Sequence, residues 1–135
     1  MDWTLELVVV PVSDVDRAKS FYVDQMGFRL DVDTSPTENF RIVQMSPPGS
    51  ACSIAIGKGI GQMEPGSLKG LHLCVSDIEA AHSQLVERGV APSDPYHFGA
   101  SGRADGLDPE RRSYATFFDF SDPDGNVWLV QEVKR

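Results

Sequence analysis

The chain has 135 residues, 41% hydrophobic and 24% charged, with 12 Lys and Arg against 20 Asp and Glu for a net charge of −8. This length suits one domain that buries its own core, and the composition excludes a disordered chain. The acidic balance repels phosphate backbones and anionic lipid headgroups, and no run of 18 apolar residues occurs, so neither a nucleic acid nor a membrane is an expected partner.

Residues 5–10 are rich in β-branched side chains and predict a first strand. Ser13-Asp14 follows as a helix N-cap, with Val15, Ala18, Phe21 and Tyr22 on one side of the helix and Gly27 at its left-handed end. Strands are predicted at 28–32, 39–46 and 51–57, the last two joined by a Pro47-Pro48-Gly49-Ser50 turn. Residues 57–68 hold four glycines and a proline and read as a linker. The pattern then recurs. A strand at 71–75 leads to Ser76-Asp77, a helix bearing Ile78, Ala81, Leu85 and Val86, and Gly89. Strands at 91–95, 113–121 and 127–134 complete it, with Asp122-Pro123-Asp124-Gly125 as the last turn. Residues 100–112 read as a long polar surface loop.

The recurrence is visible residue by residue. Val12 to Ser20 (VSDVDRAKS) aligns with Val75 to Ser83 (VSDIEAAHS) at an offset of 63, with five of nine positions identical. Gly27-Phe28 then matches Gly89-Val90 if Met26 is one extra residue. The fold class is therefore α+β: one domain, 1–135, of two tandem βαβββ modules at 1–65 and 66–135.

Two features bear on location. Met1-Asp2-Trp3-Thr4-Leu5-Glu6 has no basic start of a secretory leader. Cys52 and Cys74 lie outside any C-x-x-C spacing and are expected to be buried, reduced thiols of a cytoplasmic protein.

The ordered set Val12-Ser13-Asp14, Phe21-Tyr22, Gly27-Phe28, Val75-Ser76-Asp77 and Ser121-Asp122-Pro123-Asp124-Gly125-Asn126 resembles the vicinal oxygen chelate superfamily. That superfamily includes glyoxalase I, extradiol dioxygenases and bleomycin-resistance proteins. The resemblance implies a cupped, curved, mixed or antiparallel sheet around an open cleft, and frequent homodimers. It also implies metal ligands on the first and last strands of each module: one seven residues before the Asp of the V-x-D motif, one four residues after the Gly of D-P-D-G-N. Here those places hold Leu7, Gly70 and Leu129, with Ser53 as the counterpart in the first module. Leucine and glycine offer no donor to a divalent cation and serine a poor one, so neither a metal nor another cofactor is expected.

Losing the ligands leaves an apolar cleft. Leu7, Val9, Leu129 and Gln131 share the faces of the missing ligands, and His72 and Cys74 share the face of Gly70. His72 reads either as a neutral, hydrogen-bonded cleft residue or as an acid/base near neutral pH. His82 reads as a solvent-facing helix residue. Alternation along 114–120 puts Tyr114, Thr116, Phe118 and Phe120 on one face and Ala115, Phe117 and Asp119 on the other. Arg111, Arg112 and Tyr114, with Arg103 and His97 nearby, read either as a lid with an anion handle or as a loop paired to its own acids, Asp105, Asp108 and Glu110. A small, partly apolar organic molecule is the expected partner, held without a metal by these side chains. The alternative is an enzyme of the same superfamily, using His72 as acid/base or relocated metal ligands. A third is an accessory fold that holds no ligand.

Overall fold

In the computed structural model, which describes residues 1–135, Asp14 and Asp77 each cap a helix. The Asp14 carboxylate accepts from the Arg17 N–H at 3.0 Å, and the Asp77 carboxylate from the Ala80 N–H at 3.1 Å. Each satisfies a first-turn amide that the helix leaves without a partner. The elements are β1 (Leu7–Val9), α1 (Val15–Ser20), a π-helical turn (Phe21–Gln25), β2 (Arg29–Thr37), β3 (Phe40–Ser46), β4 (Ser53–Lys58), β5 (Lys69–Val75), α2 (Ile78–Glu87), β6 (Tyr96–Gly99), β7 (Gly102–Asp105), β8 (Thr116–Ser121) and β9 (Val127–Glu132). They form two compact units. The first is Met1–Leu68 with Asp122–Asn126; the second is Lys69–Ser121 with Val127–Arg135.

The first unit has a four-stranded sheet in the order β1-β4-β3-β2. β1 runs parallel to β4, with Leu7 opposite Ser53, and the other pairs are antiparallel. Helix α1 and the π turn cover one face, where Tyr22, Val43, Met45 and Ile56 have almost no exposed surface. Each such side chain contributes about 1.5–3 kcal/mol of burial. The π turn is where the first module differs from the second. The Met26 N–H reaches back five residues to the Phe21 carbonyl at 2.9 Å, and the Phe28 N–H reaches the Tyr22 carbonyl at 2.9 Å. The extra residue is thus absorbed as a single widened turn before Gly27, whose φ is +75°. β2 is exposed along its whole length and is an edge strand, with a bulge between Leu30 and Val32. Its Asp33 is gripped by Lys19 at 2.8 Å and Arg41 at 3.0 Å, which hold the carboxyl down to about 2.

The turn Asp122–Asn126 explains why D-P-D-G-N reads so clearly. Asp122 accepts through Oδ1 from the N–H groups of Asp124 and Asn126, at 3.0 and 2.9 Å. Its Oδ2 accepts from the Tyr22 hydroxyl and the Asn126 side-chain amide, both at 2.8 Å. Asn126 in turn donates to the Pro11 carbonyl at 2.8 Å and accepts from the Leu68 N–H at 3.0 Å. The Gly-rich segment after β4 is also structural. A Cβ on Gly66 would lie 2.1 Å from the Asp124 carbonyl oxygen, so only glycine fits there.

The second unit has a five-stranded sheet in the order β5-β9-β8-β6-β7. β5 runs parallel to β9, and the remaining pairs are antiparallel. Thr116, Phe118, Phe120, Trp128, Val130 and Glu132 point to the buried side, with Ile78 and Leu85 of α2 also buried.

Two sequence expectations are corrected here. Residues 91–95 form no strand; the strand begins at Tyr96. The supposed surface loop at 100–112 contains β7, which pairs with β6 as a hairpin around Gly99 and Gly102. Glycines and charges made the segment look irregular, whereas Gly102, with φ at +102°, provides the hairpin turn.

Candidate functional site

The open face of the second sheet gathers the chemistry. Strand pairing sets His72 opposite Leu129, Cys74 opposite Gln131, Gln131 opposite Phe117, and Leu129 opposite Asp119. Phe117 in turn stands opposite Tyr96 of β6, and Phe98 of β6 opposite Arg103 of β7. Directly opposed residues share a face, so these side chains project to one side of one sheet.

Three rings form its apolar part. Tyr96 stacks on Phe117 with centroids 5.8 Å apart, and Phe98 meets Phe117 at 5.9 Å and Tyr96 at 6.0 Å. Phe98 is 59% exposed, an uncovered ring on a sheet face. Beside it runs a groove of about 340 Å³, lined by Phe98, Arg112, Ser113, Tyr114, Ala115 and Phe117. That volume suits a small organic molecule. The polar part lies alongside. The Tyr96 hydroxyl donates to Asp119 at 2.8 Å, and burial together with that carboxylate pushes the phenol up to about 12. The Gln131 amide donates to the Cys74 thiol at 3.3 Å. His72 is exposed and its Nδ1 lies 2.7 Å from the Gly70 carbonyl.

The residues expected from sequence divide as follows. His72, Cys74, Leu129 and Gln131 stand together on this face, and Tyr114 borders the groove. Leu7 and Val9 belong to the first unit, where Val9 borders a cavity of about 60 Å³, room for a few waters only. Phe118 is corrected: it has no exposed surface and packs edge-on against His82 at 5.3 Å, on the core side. His82 is corrected with it, being half-buried with Nε2 3.1 Å from the Ser93 carbonyl. The thiols are also corrected. Both are free, but Cys52 is half-buried and Cys74 exposed.

Arg112 borders the groove, and both Arg111 and Arg112 are engaged by protein carboxylates. Arg111 holds Glu132 through Nε and Nη2 and reaches Glu79 through Nη1 at 3.0 Å. Arg112 holds the buried Asp108 at 2.8 Å and keeps its carboxyl down at about 2; Arg112 also approaches Glu110 at 3.6 Å. Of the loop's own acids, Asp108 and Glu110 pair with Arg112, whereas Arg111 turns to Glu132 of β9 and Glu79 of α2. Sequence reasoning missed Tyr96 and Phe98 and placed Phe117 apart from the site. The alternation of Tyr96 and Phe98 before two glycines was the available signal.

The four family-type ligand positions do not fit a divalent metal. Leu7, Gly70 and Leu129 carry no donor. The Ser53 hydroxyl is 2.6 Å from that of Ser46, which donates to Asp31 at 2.5 Å. No group of three or more His, Cys, Asp or Glu side chains comes together to hold an ion.

Comparison with known proteins agrees with this architecture. The family model described as "Glyoxalase/Bleomycin resistance protein/Dioxygenase superfamily" matches residues 4–130. The crystal structure of TnmS3, an antibiotic binding protein from Streptomyces sp. CB03234, is 35% identical over 98% of each chain, with a TM-score of 0.76. A glyoxalase/bleomycin resistance protein from the same Streptomyces strain is 36% identical over 96% of this chain and 100% of its own, with a TM-score of 0.72. The uncharacterized protein YetH of Bacillus subtilis (strain 168) is 25% identical over 93% of this chain and 94% of its own.

Proposed function

The chain belongs to the glyoxalase/bleomycin resistance protein/dioxygenase superfamily, and on that premise we propose that it binds a small, flat, partly apolar organic molecule on the open face of its second sheet, without a metal. The observation that carries this reading is the exposed Phe98 ring, packed on Phe117 and the buried Tyr96, beside a groove of about 340 Å³. A planar ligand stacks on the exposed Phe98 and meets Phe117, inclined 67° to it, edge-on, each good ring pair adding about 0.5–1.5 kcal/mol beyond the area it buries. Asp119 and Gln131 supply an acceptor and a donor that orient the ligand's polar edge. The antibiotic-binding relative supports a drug-sized molecule as the ligand class.

A thermal-shift screen against aromatic antibiotics, dicarbonyl adducts and acyl esters tests the reading. A ligand at 100 times its Kd raises stability by about 2.7 kcal/mol. A binder whose shift disappears in Phe117→Ala supports the site, and a broad library without a single shift argues for an accessory fold.

His72 favours a second reading: a lyase, isomerase or dioxygenase relative acting on a small carbonyl or aromatic substrate. With Nδ1 donating to the Gly70 carbonyl, Nε2 is the basic, outward edge of the ring. Proton exchange at the carbon next to a substrate carbonyl, followed by NMR in heavy water and lost in His72→Gln, tests it. We also propose a cytoplasmic homodimer with neither nucleic acid nor membrane among its partners; light scattering tests the dimer. No helix is long and apolar enough to cross a membrane.

A further inference from the structure

The arginines of this acidic chain are mostly spoken for by carboxylates. Arg17, Arg29, Arg41, Arg111 and Arg112 all form ion pairs with Asp or Glu. Arg103 is different. It lies on β7 at the edge of the second sheet, and its guanidinium carbon sits 3.6 Å from the centroid of the Tyr96 ring. It makes no ion pair, although Asp105 is two residues along the same strand and Asp119 holds the hydroxyl of the ring it covers.

A guanidinium carbon 3.6 Å above a ring centroid is at the separation of a stacked cation. A guanidinium laid flat on a ring leaves its N–H edges pointing outward in the plane, and a planar fork of donors matches a carboxylate with two parallel hydrogen bonds. The ring beneath is itself fixed, being buried, stacked on Phe117 and tied to Asp119. The fork is therefore preorganised, and little freedom is lost when an anion docks. Its strand neighbour is Phe98, the exposed ring of the cluster. An apolar stacking surface and an unpaired cationic fork thus stand side by side.

We propose that Arg103 is the acid-recognising group of this site and that the ligand class is a planar aromatic carboxylate, stacked on Phe98 and edge-on to Phe117, with its carboxylate on the Arg103 fork. The proposal rests on the small-molecule reading above and narrows it. It also moves the anion handle from Arg111 and Arg112, where the sequence suggested it, to a side chain that no protein acid occupies.

The test uses 2-naphthoate and its uncharged isostere 2-naphthamide as probes, with calorimetric titration of the full chain at 150 mM salt, about the ionic strength of a cell. The wild type is expected to bind the acid roughly tenfold or more tighter than the amide, the range of a charge-assisted bidentate contact. Arg103→Gln should remove that preference and leave amide affinity within about twofold. Arg103→Lys, a point charge without the fork, should retain only part of it. An unchanged far-ultraviolet spectrum confirms that each variant is folded. Equal binding of acid and amide by the wild type, or an acid preference that survives Arg103→Gln, overturns the proposal and leaves the small-molecule site standing. Binding of neither probe, with no shift from any compound of the wider screen, overturns both.

Discussion

Arg111 holds Glu132 with two parallel hydrogen bonds, Nε to Oε1 at 2.9 Å and Nη2 to Oε2 at 2.6 Å, on a carboxylate with no exposed surface. The same Oε2 accepts from the Ile78 N–H at 3.0 Å, so this carboxylate also caps the start of α2. The arrangement draws Arg111 into the left-handed region at φ +50°, a conformation with a cost for any residue bearing a Cβ. An internal ion pair, with backbone strain built around it, occupies the place where a ligand contact was expected.

Removing Arg111 leaves the buried Glu132 carboxylate with only the Ile78 N–H and the more distant Lys134 Nζ, at 3.6 Å. Arg111→Ala should destabilise the protein, though by less than a fully buried pair would lose, because the guanidinium is one-third exposed and Lys134 stays near the carboxylate. The double variant Arg111→Met, Glu132→Met should recover only part of that loss, since the buried Ile78 N–H then lacks its acceptor. Urea denaturation of the three proteins checks both statements, and ligand affinity should not follow the stability loss.

The same pair sets an acid limit. Arg111 and the Ile78 N–H lower the Glu132 carboxyl from 4.5 to about 2. A depressed carboxyl contributes stability that is fully present above pH 4.5 and is lost as the pH falls toward about 2. Glu132→Gln should therefore be less stable than wild type at pH 6, with the gap closing as pH drops through this window. A gap that does not vary with pH contradicts the assignment.

Tyr96 works at the other end of the scale. Burial and Asp119 raise its phenol from 10 to about 12. A raised pKa means that the neutral hydroxyl is the stabilised form. Its contribution is complete below pH 10 and disappears as the pH rises through about 12. Phenolate absorbance should show a late titrating step that Tyr96→Phe deletes.

Phe117 and Phe118 are adjacent in sequence and opposite in role. Phe118→Ala should cost about 3–5 kcal/mol through loss of a fully buried ring. Phe117→Ala, on the open face, should cost far less stability while weakening any stacked ligand. Thermal midpoints and calorimetric affinities of the two variants separate the roles. Equal losses of stability would contradict the facing.

The fold was legible because its determinants are local and repeated. The V-S-D motif is a strand end followed by a helix cap, and both copies place an aspartate on a first-turn amide. The single extra residue at Met26 is audible in the alignment and appears as the π turn. Reading the site proved harder. Alternation showed that His72, Cys74, Leu129 and Gln131 belong to common faces, since period two is a property of the strand itself. Which face lies open depends on where α2 packs, and that packing buries Phe118 and leaves Phe117 on the open side. The hairpin of β6 and β7 went unread because its strands are four residues each and its turn is glycine-rich. With it went Tyr96 and Phe98. The occupancy of Arg111 and Arg112 depends on Glu132 and Asp108 reaching them in space, and of these contacts only the short spacing to Asp108 shows in one dimension.

The turn around Asp122 has a consequence for how the protein is made. A ribosome that has just emitted Leu68 has delivered the strands and helix of the first unit, yet not the residues that accept the Tyr22 hydroxyl and clasp the Pro11 carbonyl. Those arrive only after the polypeptide has run through β5, α2 and β8. Vectorial synthesis therefore leaves the early half waiting for its clasp, and closure joins positions 115 apart along the chain. The first unit's clasp is thus among the last parts of the chain to be made.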